Sequence, residues 1–301
     1  MPTIRQLEYI TAVDDQGTFQ AAADSCHVSQ PGLSAQVRQL EETLDLRIFE
    51  RGRKPILLTP RGREIIRRAR AVLTAVEELK ESARSSSETL SGELRLGVIP
   101  TVAPYLLPDV LPPVRRAYPA LQLEFHEAET AELVDALDRG ELDLLLLALE
   151  APLGDLQTRP LFGDDFLLAV PPGHRLAERK RVRESDLAGE EILLLEDGHC
   201  LRSQALAICS RAGASELGDF RASSLATLIS MVAGGAGVTL LPAMAARRRA
   251  TLDADLRLVP FGKPVPARTI GFAWRTTSPR EEEFDELARL FLPPERPKPR
   301  R

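Results

Sequence analysis

The 301-residue chain is short of the markers of several protein classes. Three cysteines cannot build the disulfide framework of a small secreted protein. No apolar run reaches the ~18 residues of a membrane span, and Met1-Pro2-Thr3-Ile4-Arg5-Gln6 has no apolar signal core. A soluble, cytoplasmic protein with no membrane partner is expected, and in that compartment a disulfide is transient and redox-linked. There is no G-x-S-x-G, P-loop or H-E-x-x-H pattern. Neither a C-x2-C nor an H-x3–5-H pair offers a zinc site. Gly234-Gly235-Ala236-Gly237 precedes a strand rather than a helix, so it is not a dinucleotide fingerprint. His126 and His174 stand alone and fit core or surface roles. No cofactor, no metal and no enzyme activity are expected. The net charge of −5 gives no overall basic balance toward nucleic acid.

What is present is more informative. A hydrophobic content of 44% over this length suits two globular domains. Charge is uneven: Arg47 to Arg70 holds nine Arg/Lys against Glu50 and Glu64, a local electrostatic footprint. Upstream, Ile4, Leu7, Ile10 and Val13 recur at helical spacing, and Gln16-Gly17 ends that helix. Thr18 and Ser29 are placed to cap two further helices, with Pro31 in the first turn of the second. Leu33, Val37, Leu40 and Leu44 stripe the last of them. Two helices, a turn at Cys26-His27-Val28 and a third helix make a helix-turn-helix over about 19–38. Its leading face is Gln30, Pro31, Ser34 and Arg38; Gln and Arg form bidentate contacts to base edges and Ser a single bond. Arg51, Arg53 and Lys54 sit on an expected β wing closing at Ile56-Leu57-Leu58, suited to phosphates. This domain is assigned residues 1–60.

From 61 to 91 the pattern is a linker helix and hinge. Thr59 caps, Pro60 takes the first helical position, and Ile65, Ala69, Val72, Val76, Leu79 and Ala83 form a short heptad seam. No neighbouring element in the sequence covers that seam, so a homodimer is favoured over a helix packed on its own domain, its two reading helices on successive major grooves of a pseudo-palindromic site on double-stranded DNA. Ser85-Ser86-Ser87 and Ser91-Gly92 mark the hinge. Residues 92–301 then alternate strand and helix. Strands at Glu93–Ile99, Leu121–Phe125 and Leu142–Ala148 enclose helices at Val102–Tyr118 and Ala131–Arg139, which implies a parallel sheet. A second α/β unit follows from about Phe166 to Phe261, with strands near Phe166–Val170, Ile192–Leu195 and Val238–Leu241. Thr269–Trp274 and the helix Glu281–Phe291 return to the first unit, and the Pro-rich tail from Pro293 is expected to be disordered. Ligands in such sheets bind beyond strand carboxyl ends, where Thr101 and Thr130 lie, although Thr in those places also caps helices.

Gly198-His199-Cys200-Leu201-Arg202 opens a helix after the apolar strand Ile192–Leu195. Cys200 falls in the first turn with His199 and Arg202 beside it in sequence, a setting expected to lower a thiol pKa. Cys209 is nine residues on, ~13–14 Å along an intact helix and half a revolution round. A disulfide needs Cα atoms ~4.4–6.8 Å apart, so a bond requires the helix to melt. That is the physics of a switch. Free cysteine is also a common small buried hydrophobe, and two inert core residues fit the same pattern.

Phe19-Gln20-Ala21-Ala22-Ala23, Val28-Ser29-Gln30-Pro31-Gly32-Leu33-Ser34, Leu40-Glu41, Phe49-Glu50-Arg51 and Leu58-Thr59-Pro60-Arg61-Gly62 resemble the winged helix-turn-helix of LysR-type transcriptional regulators. Gly32 stands where that family often has Thr. The two-lobed C-terminal part resembles the family's periplasmic-binding-protein-like sensor. Pro100-Thr101 to Pro108, Glu127-Ala128-Glu129-Thr130, Glu196–Arg202 with Cys209, Phe220–Leu225 and Thr239–Pro242 are similar to its hydrogen-peroxide-sensing OxyR branch. The resemblance implies a peroxidatic Cys200, a resolving Cys209 and a peroxide site at Thr101, Thr130, His199 and Arg268. It also implies a homodimer or homotetramer, RNA polymerase as partner, and a dithiol reductant such as glutaredoxin or thioredoxin. Ser203 departs from the family's usual Asp. The rival expectation is a regulator of the same type answering a small organic acid in the sensor cleft.

Overall fold

The computed structural model describes residues 1–50, 56–84, 90–248 and 255–292. The serine hinge at 85–87, the wing cations Arg51, Arg53 and Lys54, and the tail from Pro293 lie outside the described residues. The chain divides into two units, residues 1–86 and most of the remainder.

The first unit holds α1 (Ile4–Gln16), α2 (Phe19–Ser25), α3 (Gln30–Leu44) and α4 (Pro60–Arg84). Each start follows from a local cap. Thr3 and Gln6 form a reciprocal capping box at α1. The Thr18 hydroxyl accepts from the Ala21 amide and Ser29 from the Gly32 amide, bonds worth ~1 kcal/mol each. Ile10, Val13, Ala22, Leu33, Val37 and Leu40 close the core between these helices. Glu41 is buried, and its carboxylate accepts from the Ile48 amide at 2.7 Å while pairing with Arg47 at 3.0 Å. That anchor fixes the chain where the wing begins, and Phe49 and Leu58 pair antiparallel across it.

Thr59 caps α4 by accepting from the Gly62 amide at 2.9 Å. The expected uncovered seam on this helix is only partly found. Ile66 and Ala69 are buried and Ile65 packs with them in the core of the first unit, while Arg70 pairs with Asp14 and Asp15 at 2.7 and 2.6 Å. The cover is α1, far away in sequence and therefore invisible to the heptad pattern. Only farther along do apolar groups face out, Val72 at 46% and Leu79 at 71% exposure.

The second unit has two lobes. In the first, β1 (Gly92–Val98), β2 (Leu121–Glu127) and β3 (Leu144–Ala148) lie parallel in the order β2-β1-β3, with α5 (Ala103–Ala117) and α6 (Thr130–Asp138) as crossovers. β9 (Ala267–Trp274) adds antiparallel to β3, and Phe284 and Leu287 of α10 (Glu281–Ala288) join that core. In the second lobe, β5 (Glu191–Leu195) and β6 (Ser215–Ala222) run parallel, joined by α7 (Cys200–Ala212). α8 (Leu225–Ala233), β7 (Thr239–Pro242), α9 (Ala243–Ala246) and β8 (Arg257–Pro260) complete it.

One strand belongs to both lobes. β4 (Gln157–Val170) pairs with β9 from Gln157 to Asp165, then with β7 and β8 from Phe166 onward. The sequence pattern had placed only Phe166–Val170 in a strand. The preceding stretch is polar and largely exposed, so it lacks the alternation that marks a buried strand. β6 and β8 were also missed, because Ser215-Glu216-Leu217-Gly218 carries no period-two pattern and β8 is four residues long.

Candidate redox and DNA-contact site

The connection from β5 to α7 is a tight turn. Gly198 sits at φ +103°, and a Cβ there would lie 1.8 Å from Glu129 Oε2. Glycine is the residue that tolerates this backbone. The turn delivers His199 as N-cap and places Cys200, as expected, in the first turn of α7. The helix runs unbroken through Cys209 to Ala212, and both cysteines are free thiols. Their surroundings differ. Cys200 packs against the core of the first lobe, whereas Cys209 is fully enclosed in the core of the second.

Arg268 is the largest fully buried side chain in the molecule's described residues, at 1% exposure. It lies on β9 directly across from Asp164 on β4, in the segment where those strands pair antiparallel. Its guanidinium donates to Asp164 Oδ2 at 3.0 and 3.1 Å, to Thr101 Oγ1 at 2.9 Å and to the Thr101 carbonyl at 3.1 Å. Asp164 Oδ1 accepts from the Met244 amide at 2.9 Å. Thr101 therefore does not cap α5, whose N-cap is Val102 without a side-chain bond. Its hydroxyl oxygen is used as an acceptor, which leaves its own proton free to donate. Thr130 is the first residue of α6, buried, and its Oγ1 makes no well-aligned hydrogen bond within the protein. It stands near enough to the Cys200 sulfur to favour the thiolate. His199 is buried, its Nε2 3.8 Å from Glu129 Oε1.

Two expectations need correction. The thiol pKa of Cys200 is raised, not lowered, because burial outweighs everything else. Arg268, Thr130 and the backbone N–H groups of the helix start pull it back down, as a helix N-terminus should, without winning. The cation acting on Cys200 is also not the sequence neighbour Arg202. That side chain turns away to Asp197, Glu216 and the Leu195 carbonyl. Arg268 takes its place from 68 positions downstream, counting from residue 200 to residue 268. Cys209 is held by burial at about 11.

A cleft of about 740 Å³ opens beside Cys200 between the two lobes, lined in part by Thr130, Asp135, Glu150, Phe166, Ser203 and Gln204. Its charged walls are chiefly acidic, since the remaining cation, Arg211, is paired with Glu184 at 3.0 Å. Sequence reasoning missed Asp164. The polar stretch around it carries no strand pattern against which a buried charge would stand out.

In the first unit, Pro31 and Arg38 are exposed on α3, and Gln30 and Ser34 half-exposed beside them, with Gln30 Nε2 donating to Ser34 Oγ at 2.9 Å. The four lie on one outward face, as the spacing requires. Among the described residues no helix is long and apolar enough to cross a membrane, and no group of three or more His, Cys, Asp or Glu is placed to hold a metal ion.

Known proteins match this arrangement. Residues 4–63 fit the bacterial regulatory helix-turn-helix protein, lysR family, and residues 87–293 the LysR substrate binding domain. A hydrogen peroxide-inducible genes activator of Pectobacterium carotovorum subsp. carotovorum is 47% identical over 285 residues, covering 95% of this chain and 94% of that protein. A full-length OxyR variant from Pseudomonas aeruginosa is 35% identical, with a TM-score of 0.75 over 96% of this chain and 97% of that one. The crystal structure of the oxidized form of OxyR is 46% identical, with a TM-score of 0.61 over 68% of this chain and 96% of its own. The chain belongs to the LysR family of bacterial helix-turn-helix regulators, and within it to the OxyR branch.

Proposed function

We propose that this protein is a DNA-binding transcriptional regulator that senses hydrogen peroxide through a reversible Cys200–Cys209 disulfide and controls oxidative-stress genes. The observation that carries the reading is the convergence at Cys200 of a buried guanidinium, a buried hydroxyl with no well-aligned hydrogen bond and a helix N-terminus, with a second thiol locked at the far side of the same helix. In the Cys200 thiolate form, sulfur attacks one peroxide oxygen and the O–O bond breaks. The departing hydroxide takes a proton and leaves as water, and Cys200 becomes a sulfenic acid. Arg268, Thr101, Thr130 and His199 bind and orient the peroxide. The Thr101 proton and the Thr130 hydroxyl serve as donors to the developing oxyanion. α7 then unwinds, the Cys209 sulfur displaces oxygen from Cys200 as water, and the disulfide stores the altered fold.

Residues 1–60 contact double-stranded DNA, with Gln30, Pro31, Ser34 and Arg38 at base edges and Arg51, Arg53 and Lys54 on phosphates. Residues 61–91 pair two chains through the outward apolar groups of α4, giving a homodimer or, by pairing of dimers, a homotetramer on a pseudo-palindromic site. Residues 92–301 are the sensor. RNA polymerase receives the signal, and a cytoplasmic dithiol reductant such as glutaredoxin or thioredoxin resets it. The single oxidation per signal makes this a switch rather than an enzyme. The acidic walls of the cleft disfavour an organic-acid ligand. Free-thiol titration with non-reducing mass mapping tests the reading. Micromolar peroxide should consume two thiols, join Cys200 to Cys209 and change the DNA footprint. Cys200→Ser should bind DNA and ignore peroxide; a Cys200→Ser protein that still switches would overturn the assignment.

A further inference from the structure

The first turn of α7 is tied down by a cluster that the peroxide chemistry does not use. Arg202, whose side chain is 9% exposed, donates to Asp197 Oδ1 at 2.8 Å, to both Glu216 oxygens at 2.9 Å and to the Leu195 carbonyl at 3.1 Å. Arg221 closes the ring, donating to Asp197 Oδ2 at 2.6 Å and to Glu216 Oε1 at 3.3 Å. Two guanidiniums and two carboxylates thus join the start of α7 to β5 and β6 of the second lobe. The bidentate fork between Arg202 and Glu216 is the strong form of such a pair. Arg202 also holds the Glu216 carboxyl below its ordinary range.

Arg202 is two residues from Cys200, and Cys209 is buried in the core shared by Leu201, Ala205 and Ile208. Bringing the sulfurs together means closing roughly 7 Å of Cα separation. The deeply enclosed Cys209 favours movement of the other end, and Arg202 then cannot keep its partners. We propose that the Arg202–Glu216–Asp197–Arg221 ring is a latch that restrains the second step of the sensing reaction, and that these are positioning residues for disulfide closure. The inference rests on the sensing reading above. Its consequence is a partition. The sulfenic acid on Cys200 either meets Cys209, losing water to form the disulfide, or meets a second peroxide, which oxidises it to sulfinic acid and is itself reduced to water. A latch that keeps the opened helix rare favours the irreversible product at high peroxide.

The test uses the full-length protein, with Glu216→Gln and Arg202→Lys each removing the bidentate fork while leaving a polar side chain. Rapid quenching and mass analysis follow sulfenic acid, disulfide and sulfinic acid separately. Neither variant touches Arg268, Thr101 or Thr130, so the second-order rate of sulfenic acid formation should be unchanged. Closure should be about tenfold faster, and the sulfinic fraction at millimolar peroxide correspondingly smaller. A tenfold change in the closure equilibrium shifts the potential of the pair by about 30 mV to more negative values. Arg221→Gln, whose side chain is 44% exposed, gives a milder variant if the other two do not fold. Unchanged closure rate and unchanged potential in any folded variant would overturn the latch. A parent protein that forms no Cys200–Cys209 bond would instead overturn the sensing reading itself.

Discussion

If α7 must unwind before the sulfurs can meet, its helical stability should appear directly in the closure rate. Ala207 is the place to test this. It is exposed, lies between the two cysteines, and carries no hydrogen bond from its side chain. Ala207→Gly removes no core contact and costs the helix ~1 kcal/mol through backbone entropy. With unwinding as a rapid equilibrium before the chemistry, that figure appears in full as a rate increase of roughly fivefold. Ala207 is about two turns from Cys200, so formation of the sulfenic acid should keep its parent rate. Ser203→Ala works in the other direction: it raises propensity at an exposed position by about half that amount and should slow closure about twofold. Quenched-flow alkylation resolves the two steps, and amide exchange over residues 201–208 reports the opening free energy independently. Suppose exchange shows the segment loosened by ~1 kcal/mol while closure keeps its parent rate. The unwound helix would then not lie on the path to the disulfide, and the reasoning from helix geometry would fail.

Arg268→Gln leaves Asp164 buried at 4% exposure without its counter-charge, and denaturant unfolding should show a loss of about 3–5 kcal/mol. The same variant removes a group that favours the thiolate, so reaction with peroxide at neutral pH should fall and its pH profile shift upward. Cys209 gives a pH signature of the folded core. Its pKa stands at about 11 against an ordinary 9, so between those limits the unfolded chain loses a proton that the folded chain keeps. Stability should therefore decline as pH rises through that window, by at most about 3 kcal/mol, and Cys209→Ala should lack this part of the decline in parallel urea melts. On the DNA side, Arg38→Ala should relax preference at one base position at a cost of about 1–3 kcal/mol, read by competition binding at fixed salt.

How much of this was legible in the sequence depended on how far apart the causes lie. The helix-turn-helix was readable because its determinants are local: Thr18 and Ser29 cap within three residues, and Leu33, Val37 and Leu40 recur on one face. The linker seam was half-misread because the surface that covers Ile65 and Ala69 comes from α1. The helix that opens at Cys200 and runs through Cys209 was readable for the same local reason. The direction of the Cys200 shift was not, since a sequence shows the helix terminus but not the apolar core of the other lobe pressed against the thiol. Asp164 and Arg268 are 104 positions apart and meet only through the antiparallel register of β4 and β9. Nothing in either residue's neighbourhood announces the pairing.

In the proposed switch, the placement of the two sulfurs also explains why the signal is covalent. Hydrogen peroxide is small and makes only a few polar contacts in any site. To carry a two-state protein from 1:99 to 99:1 by binding alone, a ligand must discriminate between the states by about 5.5 kcal/mol. A few hydrogen bonds, each worth about 0.5–1.5 kcal/mol net, do not reach that difference when some of them persist in both states. Disulfide formation has no such ceiling. For a two-electron couple 30 mV corresponds to about 1.4 kcal/mol, so a gap of roughly 120 mV between the cysteine pair and its surroundings supplies the whole conformational shift. It must cover the loss of Cys200 from the first lobe, the breaking of the Arg202 pairs and the melting of the helix between the two sulfurs. In that switch the bond and not the bound peroxide holds the new state, so the state would outlast the peroxide and end only when a reductant attacks the sulfur. A site with Arg268 and Thr130 built around one thiol, and the other thiol sealed until the helix opens, keeps the order of those steps fixed.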